Sequence, residues 1–274
     1  MCDDPFSYMT DKSKVKTDQD KDMEKLYDIN SDGYSVRCKL FANDPRQAEQ
    51  VILLAHGFGG NKENKTFARF ASHVLAKYKK VALIAYDCPC HGKDARKKLI
   101  LQECENYLDI VIRDSKERFH TEDLCLYATS FGAYIALNYI AEHGSPFRRI
   151  ALRSPAISMY ESISERMLTE EDRNKLAKGK EVQIGYDRKM KIDQHFMDSL
   201  QEADVRKKDY IDFAEDMLIV HGTKDEVVAC EPVAEFADQN IIELIAVENA
   251  DHRFKDLNKL DLVHNQILRF FELG

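Results

Sequence analysis

The chain has no apolar run approaching the roughly 20 residues that a membrane-spanning helix needs, so stable membrane insertion is not expected. Its start, Met1-Cys2-Asp3-Asp4-Pro5, lacks the basic residues and apolar stretch of a secretory signal. Neither Gly-x-Gly-x-x-Gly nor Gly-x-x-x-x-Gly-Lys-Ser/Thr occurs, which argues against a loop that cradles nucleotide phosphates. Positive charge is in deficit, with 40 Lys and Arg against 48 Asp and Glu and a formal net charge of −8. General affinity for nucleic acid needs the opposite balance. Arg96-Lys97-Lys98 and Arg206-Lys207-Lys208 have acidic neighbours and read as solvated surface. Cys-x-x-Cys and His-x-x-x-His are also missing. The seven cysteines are an odd number, and Cys88 and Cys90 have the spacing Cys-x-Cys. Neither a disulfide scaffold nor a zinc site is expected, no cofactor is implied, and a reducing cytoplasmic setting fits best.

What is present is an alternation of strand and helix patterns. With 274 residues, 44% of them apolar, the chain can bury the core of one large domain or of one domain with an insertion. Residues 1–22 form a polar lead-in and 23–274 the folded domain. Leu26–Ile29 and Tyr34–Ala42 read as a hairpin around Asn30-Ser31-Asp32-Gly33. Apolar strands follow at Val51–Ala55, Val81–Tyr86, Leu124–Tyr127, Arg149–Leu152, Phe213–Val220 and Ile241–Val247. Between them, Phe67, Phe70, Ala71, Val74, Leu75 and Tyr78 recur at three-and-four spacing, as do Leu260, Val263, His264, Ile267, Leu268 and Phe271 near the end. The expectation is an α/β fold with a mostly parallel eight-stranded sheet and helices on both faces.

The chemistry-bearing residues follow the carboxyl ends of those strands, where open α/β sheets place their active sites. Ala128-Thr129-Ser130-Phe131-Gly132 puts a serine between a strand and a helix, with small residues two before and two after it. A sharp strand-to-helix turn needs such neighbours, and it exposes the hydroxyl. His56-Gly57-Phe58-Gly59-Gly60 follows one strand, and His221-Gly222-Thr223-Lys224-Asp225 another. Asn249-Ala250-Asp251-His252 follows the last. A serine hydroxyl needs a base, and an imidazole can take its proton and return it to a leaving group. His252 is the candidate base. Asp225 is the candidate that orients it, with Asp251 and Glu226 as rivals.

The chain order Ser130, Asp225, His252 is that of the α/β-hydrolase triad. With Asp87-Cys88-Pro89-Cys90-His91-Gly92 added, these segments resemble the α/β-hydrolases. Within that superfamily they are similar to small bacterial cinnamoyl and feruloyl esterases and to serine-aminopeptidase-like (lysophospholipase-like) hydrolases. The likeness runs from about Leu26 to the C-terminus. Two positions depart from the pattern: Ala128 stands where the turn usually has Gly, and Cys90 where Gly often precedes His-Gly. The resemblance implies oxyanion donors on the backbone N–H groups of Phe58 and Phe131. It implies a structural part for Asp87 and His91. It also implies that the insertion of about 156–210 caps the pocket, where Met159 and Phe196 are candidate substrate contacts.

The resulting expectation is a serine hydrolase that cleaves carboxylic esters with a modest acyl or aryl group through an acyl-enzyme. Thioesterase or aminopeptidase chemistry with the same triad is the alternative, and a non-catalytic binding protein is the alternative of a different class. The expected partner is a small-molecule ester, and a homo-oligomer is compatible with the sequence.

Overall fold

The computed structural model describes residues 24–186 and 188–274. The expected polar lead-in lies outside the described residues. The central sheet has eight strands: β1 (Glu24–Ser31), β2 (Tyr34–Ala42), β3 (Gln50–Ala55), β4 (Val81–Tyr86), β5 (Leu124–Thr129), β6 (Arg149–Arg153) and, after a separate hairpin of β7 (Val182–Ile184) and β8 (Met190–Ile192), β9 (Met217–Gly222) and β10 (Glu243–Val247). Their spatial order is β1-β2-β4-β3-β5-β6-β9-β10. Only β2 runs against the rest. The predicted start at Phe213 is later in the structure, because Ile211–Asp216 forms a 3₁₀ turn instead.

Strand alternation feeds two cores. Along β3, Val51, Leu53 and Ala55 face one core, and Ile52 and Leu54 face the other. One face is covered by α1 (Lys65–Lys77) and, at the end of the chain, α8 (Leu257–Phe271). The other is covered by α2 (Leu101–Phe119), α3 (Phe131–His143) and α7 (Cys230–Gln239). Both faces being buried explains why β4 and β5 are buried along their whole length. Among the described residues no helix is long and apolar enough to cross a membrane.

The long segment between β6 and β9 holds α4 (Met159–Arg166), α5 (Glu170–Ala177), β7 (Val182–Ile184) paired with β8 (Met190–Ile192), and α6 (Gln194–Glu202). Asp172 and Thr169 cap α5 reciprocally, which starts a helix that buries only Leu176. The hairpin is tied to the loop after β4. The Leu99 N–H donates to the Lys191 carbonyl, and the Lys191 N–H donates to the Lys97 carbonyl. The Arg188 guanidinium donates to the carbonyls of His91, Gly92, Asp94 and Arg96.

One buried acid on α2 makes stability depend on pH. Glu105 is 4% exposed, and its Oε2 has no partner. Burial and the charge of Glu142 push its carboxyl up to about 7, against the pull of Lys208. That lies above the unfolded value of about 4.3. The protonated acid therefore contributes stability that is complete below about pH 4 and is lost as pH rises through about 7. Glu105→Gln should raise Tm by roughly 4 °C at pH 8 and change it little at pH 4.5. Thermal unfolding at both pH values checks this, and equal shifts would contradict it.

Candidate active site

Ser130 closes the turn from β5 into α3 with φ 51 and ψ −114. Its N–H donates to the Arg153 carbonyl at 3.0 Å, and its own carbonyl accepts from Tyr134 at 3.1 Å and Ala156 at 3.2 Å. The close approach of β3 dictates the glycine at 132, where a Cβ would lie 2.5 Å from the Ala55 carbonyl oxygen. Gly57 similarly lies against the Ser130 Cβ, 3.0 Å from where its own Cβ would be. Ala128 sits within β5, paired with Ala55 and Leu152, so its methyl group meets no turn geometry that would require glycine. Cys90 does take up the conformation that a glycine favours, with φ 66, and its N–H is held by Asp94 Oδ1 at 2.8 Å.

Three residues from separate loops converge in a line. The Ser130 Oγ donates to His252 Nε2 at 3.1 Å, and His252 Nδ1 donates to Asp225 Oδ2 at 2.7 Å. Asp225 is further held through Oδ1 by the amides of Val227 and Val228, both at 2.8 Å. Burial pushes its carboxyl up, but the bond from His252 and these amides outweigh that and hold it below the usual carboxylate value. The rivals are engaged elsewhere. Asp251 accepts from the Lys255 amide at 2.9 Å, and Glu226 accepts from the His252 backbone N–H at 3.3 Å.

Other nearby histidines are consumed by the scaffold. His56 Nδ1 donates to the Gly57 carbonyl, and Nε2 accepts from the Cys88 amide. His221 Nε2 bonds the Val228 carbonyl. His91 donates to the Pro89 carbonyl, and burial followed by the nearby His56 pulls it down to about 3. Its ring packs 5.4 Å from Phe58 and 6.1 Å from Phe131. The rings of Phe58 and Phe131 meet edge to face at 5.5 Å, which brings the two expected oxyanion-donor residues side by side. Behind them, Asp87 is fully buried. It accepts from the Lys62 amide at 2.8 Å, the Lys62 Nζ at 3.0 Å and the Lys93 amide at 2.9 Å. A Cβ at Gly92 would lie 2.4 Å from this carboxylate.

A cleft of about 350 Å³ opens at Ser130 and His252. Met159, Ser162, Met167 and Tyr186 of the insertion border it, as do Phe58, Val227 and Val228. The Tyr186 ring lies over Gly59. Phe196 is not at this cleft. It is buried on α6 against a separate cavity beside Lys98, Gln102 and Glu105. The amphipathic phase of α6 turns Phe196, Met197 and Leu200 into the core, so an aromatic residue in the insertion is not by itself a substrate contact. Tyr186 is one of several aromatic and apolar residues scattered through the insertion, with nothing to single it out, and Arg153 and Arg253 belong to no periodic pattern or motif. Two groups of ligating side chains lie outside the cleft, His73-Asp261-His264 and Glu105-Glu142-His143. In the first, Arg69 already holds both Asp261 oxygens.

Comparison with known proteins follows this geometry. The family described as serine aminopeptidase, S33, matches residues 46–208, more than half of the chain. No curated protein matches. Among solved structures, Est1E from Butyrivibrio proteoclasticus with bound ferulic acid superposes with a TM-score of 0.71 at 20% identity, covering 89% of this chain and 98% of that one. The Pyrococcus furiosus esterase Pf2001 gives 0.66 at 16% identity, covering 92% and 94%. Mouse alpha/beta hydrolase domain-containing protein 10 gives 0.66 at 14%, covering 90% and 98%. At these identities the likeness is one of fold, the α/β-hydrolase fold.

The buried Lys62–Asp87 pair clamps the loop that carries Phe58 to the end of β4. Asp87→Ala strands the Lys62 charge and should cost about 3–5 kcal/mol of stability. Urea unfolding checks this, and a loss below about 1 kcal/mol would mean that Lys62 finds solvent.

Proposed function

The chain belongs to the serine aminopeptidase S33 family, and on that premise we propose that it is a serine hydrolase acting on carboxylic esters with a modest acyl or aryl group. The observation that carries this reading is the hydrogen-bonded line from Ser130 through His252 to Asp225. In this mechanism Ser130 attacks the carbonyl carbon while His252 Nε2 takes its proton. Asp225 holds the ring with Nδ1 protonated and stabilises the imidazolium. The tetrahedral oxygen lies against the N–H groups of Phe58 and Phe131. His252 then protonates the departing alcohol, and water activated by the same ring releases the acid from Ser130. The insertion acts as a cap whose Met159, Met167 and Tyr186 contact the acyl group.

Peptide amides are the second reading, because the family description names an aminopeptidase. An aminopeptidase must hold an α-ammonium group, for which a carboxylate is the natural partner. Among the described residues bordering the cleft there is no Asp or Glu, which favours the ester. The six described cysteines are unpaired and five of them are buried, which supports a reducing compartment such as the cytoplasm.

Ser130→Ala should keep the fold and lower ester turnover on the order of 10⁴-fold or more, with loss of labelling by a fluorophosphonate. Turnover near that of the native protein would remove Ser130 from the mechanism. Because His252 Nε2 takes the Ser130 proton, His252→Ala should also lower ester turnover on the order of 10⁴-fold. Turnover by that variant within about tenfold of the native protein would count against His252.

Met159→Ala should change the preference between short and aromatic acyl groups by about 1–3 kcal/mol. Phe196→Ala should lower stability without changing that preference. Ratios of kcat/KM across an ester panel separate the two, and a preference that follows Phe196 instead would relocate the acyl pocket.

A further inference from the structure

One end of the cleft is polar and positively charged. Arg153, the last residue of β6, borders it with only 6% of its surface exposed. The guanidinium donates from Nη1 to the Arg253 carbonyl at 3.2 Å, and its Nε has no partner. Phe254 lies against it, with the ring centre 5.4 Å from the guanidinium carbon. Among the described residues, no carboxylate pairs with Arg153. The buried Tyr127 also interacts with this guanidinium, but it is neutral, and burying a guanidinium without a counter-charge is costly.

The residues lining the cleft add positive charge, while the Asp225 and Glu226 carboxylates are engaged on the far side of His252. The exposed Arg253 borders the same cleft. So do Asn64 and Thr66, where the Asn64 side chain caps the thirteen-residue α1 by accepting from the Thr66 amide. The positive end of that helix dipole therefore faces the cleft. No acidic side chain appears among the described residues that line it, although the chain as a whole carries a net charge of −8. Ser130 is close by construction, since its N–H is bonded to the carbonyl of Arg153 itself.

We propose that the substrate carries an anionic group, a carboxylate or a phosphate, that docks at Arg153 and Arg253 while its ester carbonyl faces Ser130. This rests on the serine hydrolase reading of the site and names the substrate class within it. An arginine presents a planar fork of donors that suits either anion.

The test is kinetic and uses the full chain with two matched ester pairs. One pair is a monoester of a short dicarboxylic acid and its neutral diester. The other is the acetyl ester of a hydroxyalkyl phosphate and the same ester without phosphate. In the native protein, kcat/KM should favour the charged member of one pair by about tenfold or more. The pair that does so tells a carboxylate on the acyl side from a phosphate on the leaving side. Arg153→Gln should lower that ratio by about fivefold or more, chiefly through KM, and Arg153→Lys should restore part of it. Should Arg153→Gln not fold, Arg253→Ala and the native protein in about 0.5 M salt give the second measurement. Each should reduce the ratio.

Ratios near or below one for both pairs overturn the proposal, as does a ratio that survives Arg153→Gln in a folded protein or is indifferent to both salt and Arg253→Ala. A small uncharged fluorophosphonate separates the two levels of the argument. Native protein that resists labelling removes the hydrolase reading itself. Labelled protein with no charge preference removes only the anion dock.

Discussion

The backbone at Ser130 is the constraint from which the site follows. A positive φ in a residue with a Cβ costs of order 1–3 kcal/mol and persists only where neighbours over-determine it. Here β6, α3 and the first residues of the insertion each contribute a hydrogen bond to its N–H or carbonyl. The turn presses the chain so close to β3 that position 132 can hold only glycine, and it brings Gly57 into contact with Ser130. The loop after β3 must therefore be thin, and the Lys62–Asp87 pair pins it from behind. Backbone geometry and strand packing thereby fix where the Ser130 Cβ lies, and the bond to His252 Nε2 orients the hydroxyl.

Much of this was legible in the sequence because it is local. The strand at Val51–Ala55 is a run of apolar residues, and Ser130 sits between a strand and a helix pattern within a few positions. The order of the strands' carboxyl ends brings Asp225 and His252 to the same edge of the sheet. What was not legible depends on long-range packing. Met159 and Phe196 are both apolar residues of the insertion, yet one borders the cleft and the other is buried elsewhere, a difference set by the orientation of two short helices. The β7–β8 hairpin spans three residues a strand, too short for alternation to announce it. Arg153 falls at the end of a strand, where a charged residue reads as ordinary surface; in the structure it packs against Phe254, and the C-terminal helix α8 lies on its strand, both more than a hundred residues away.

The chain contains nine histidines, and the scaffold distinguishes them by how their nitrogens are used. His56, His91 and His221 each bond a backbone carbonyl, and burial lowers the basicity of all three. They are fixed, neutral struts for the loops around the cleft. His252 bonds a carboxylate through one nitrogen and a hydroxyl through the other. That arrangement leaves it suited to proton transfer, whereas the buried rings are suited to holding shape.

The four carbonyls gathered by Arg188 bear on how this architecture can be altered. They belong to the loop after β4, but the guanidinium that satisfies them comes from the insertion after β6. Two stretches of chain nearly a hundred residues apart thus behave as one module. Exchanging the insertion for that of a relative would leave the loop with unanswered acceptors unless both pieces travelled together. Recombination between members of this fold should accordingly tolerate crossover points that keep the pair intact. The natural unit of inheritance is then larger than the insertion a sequence comparison would excise.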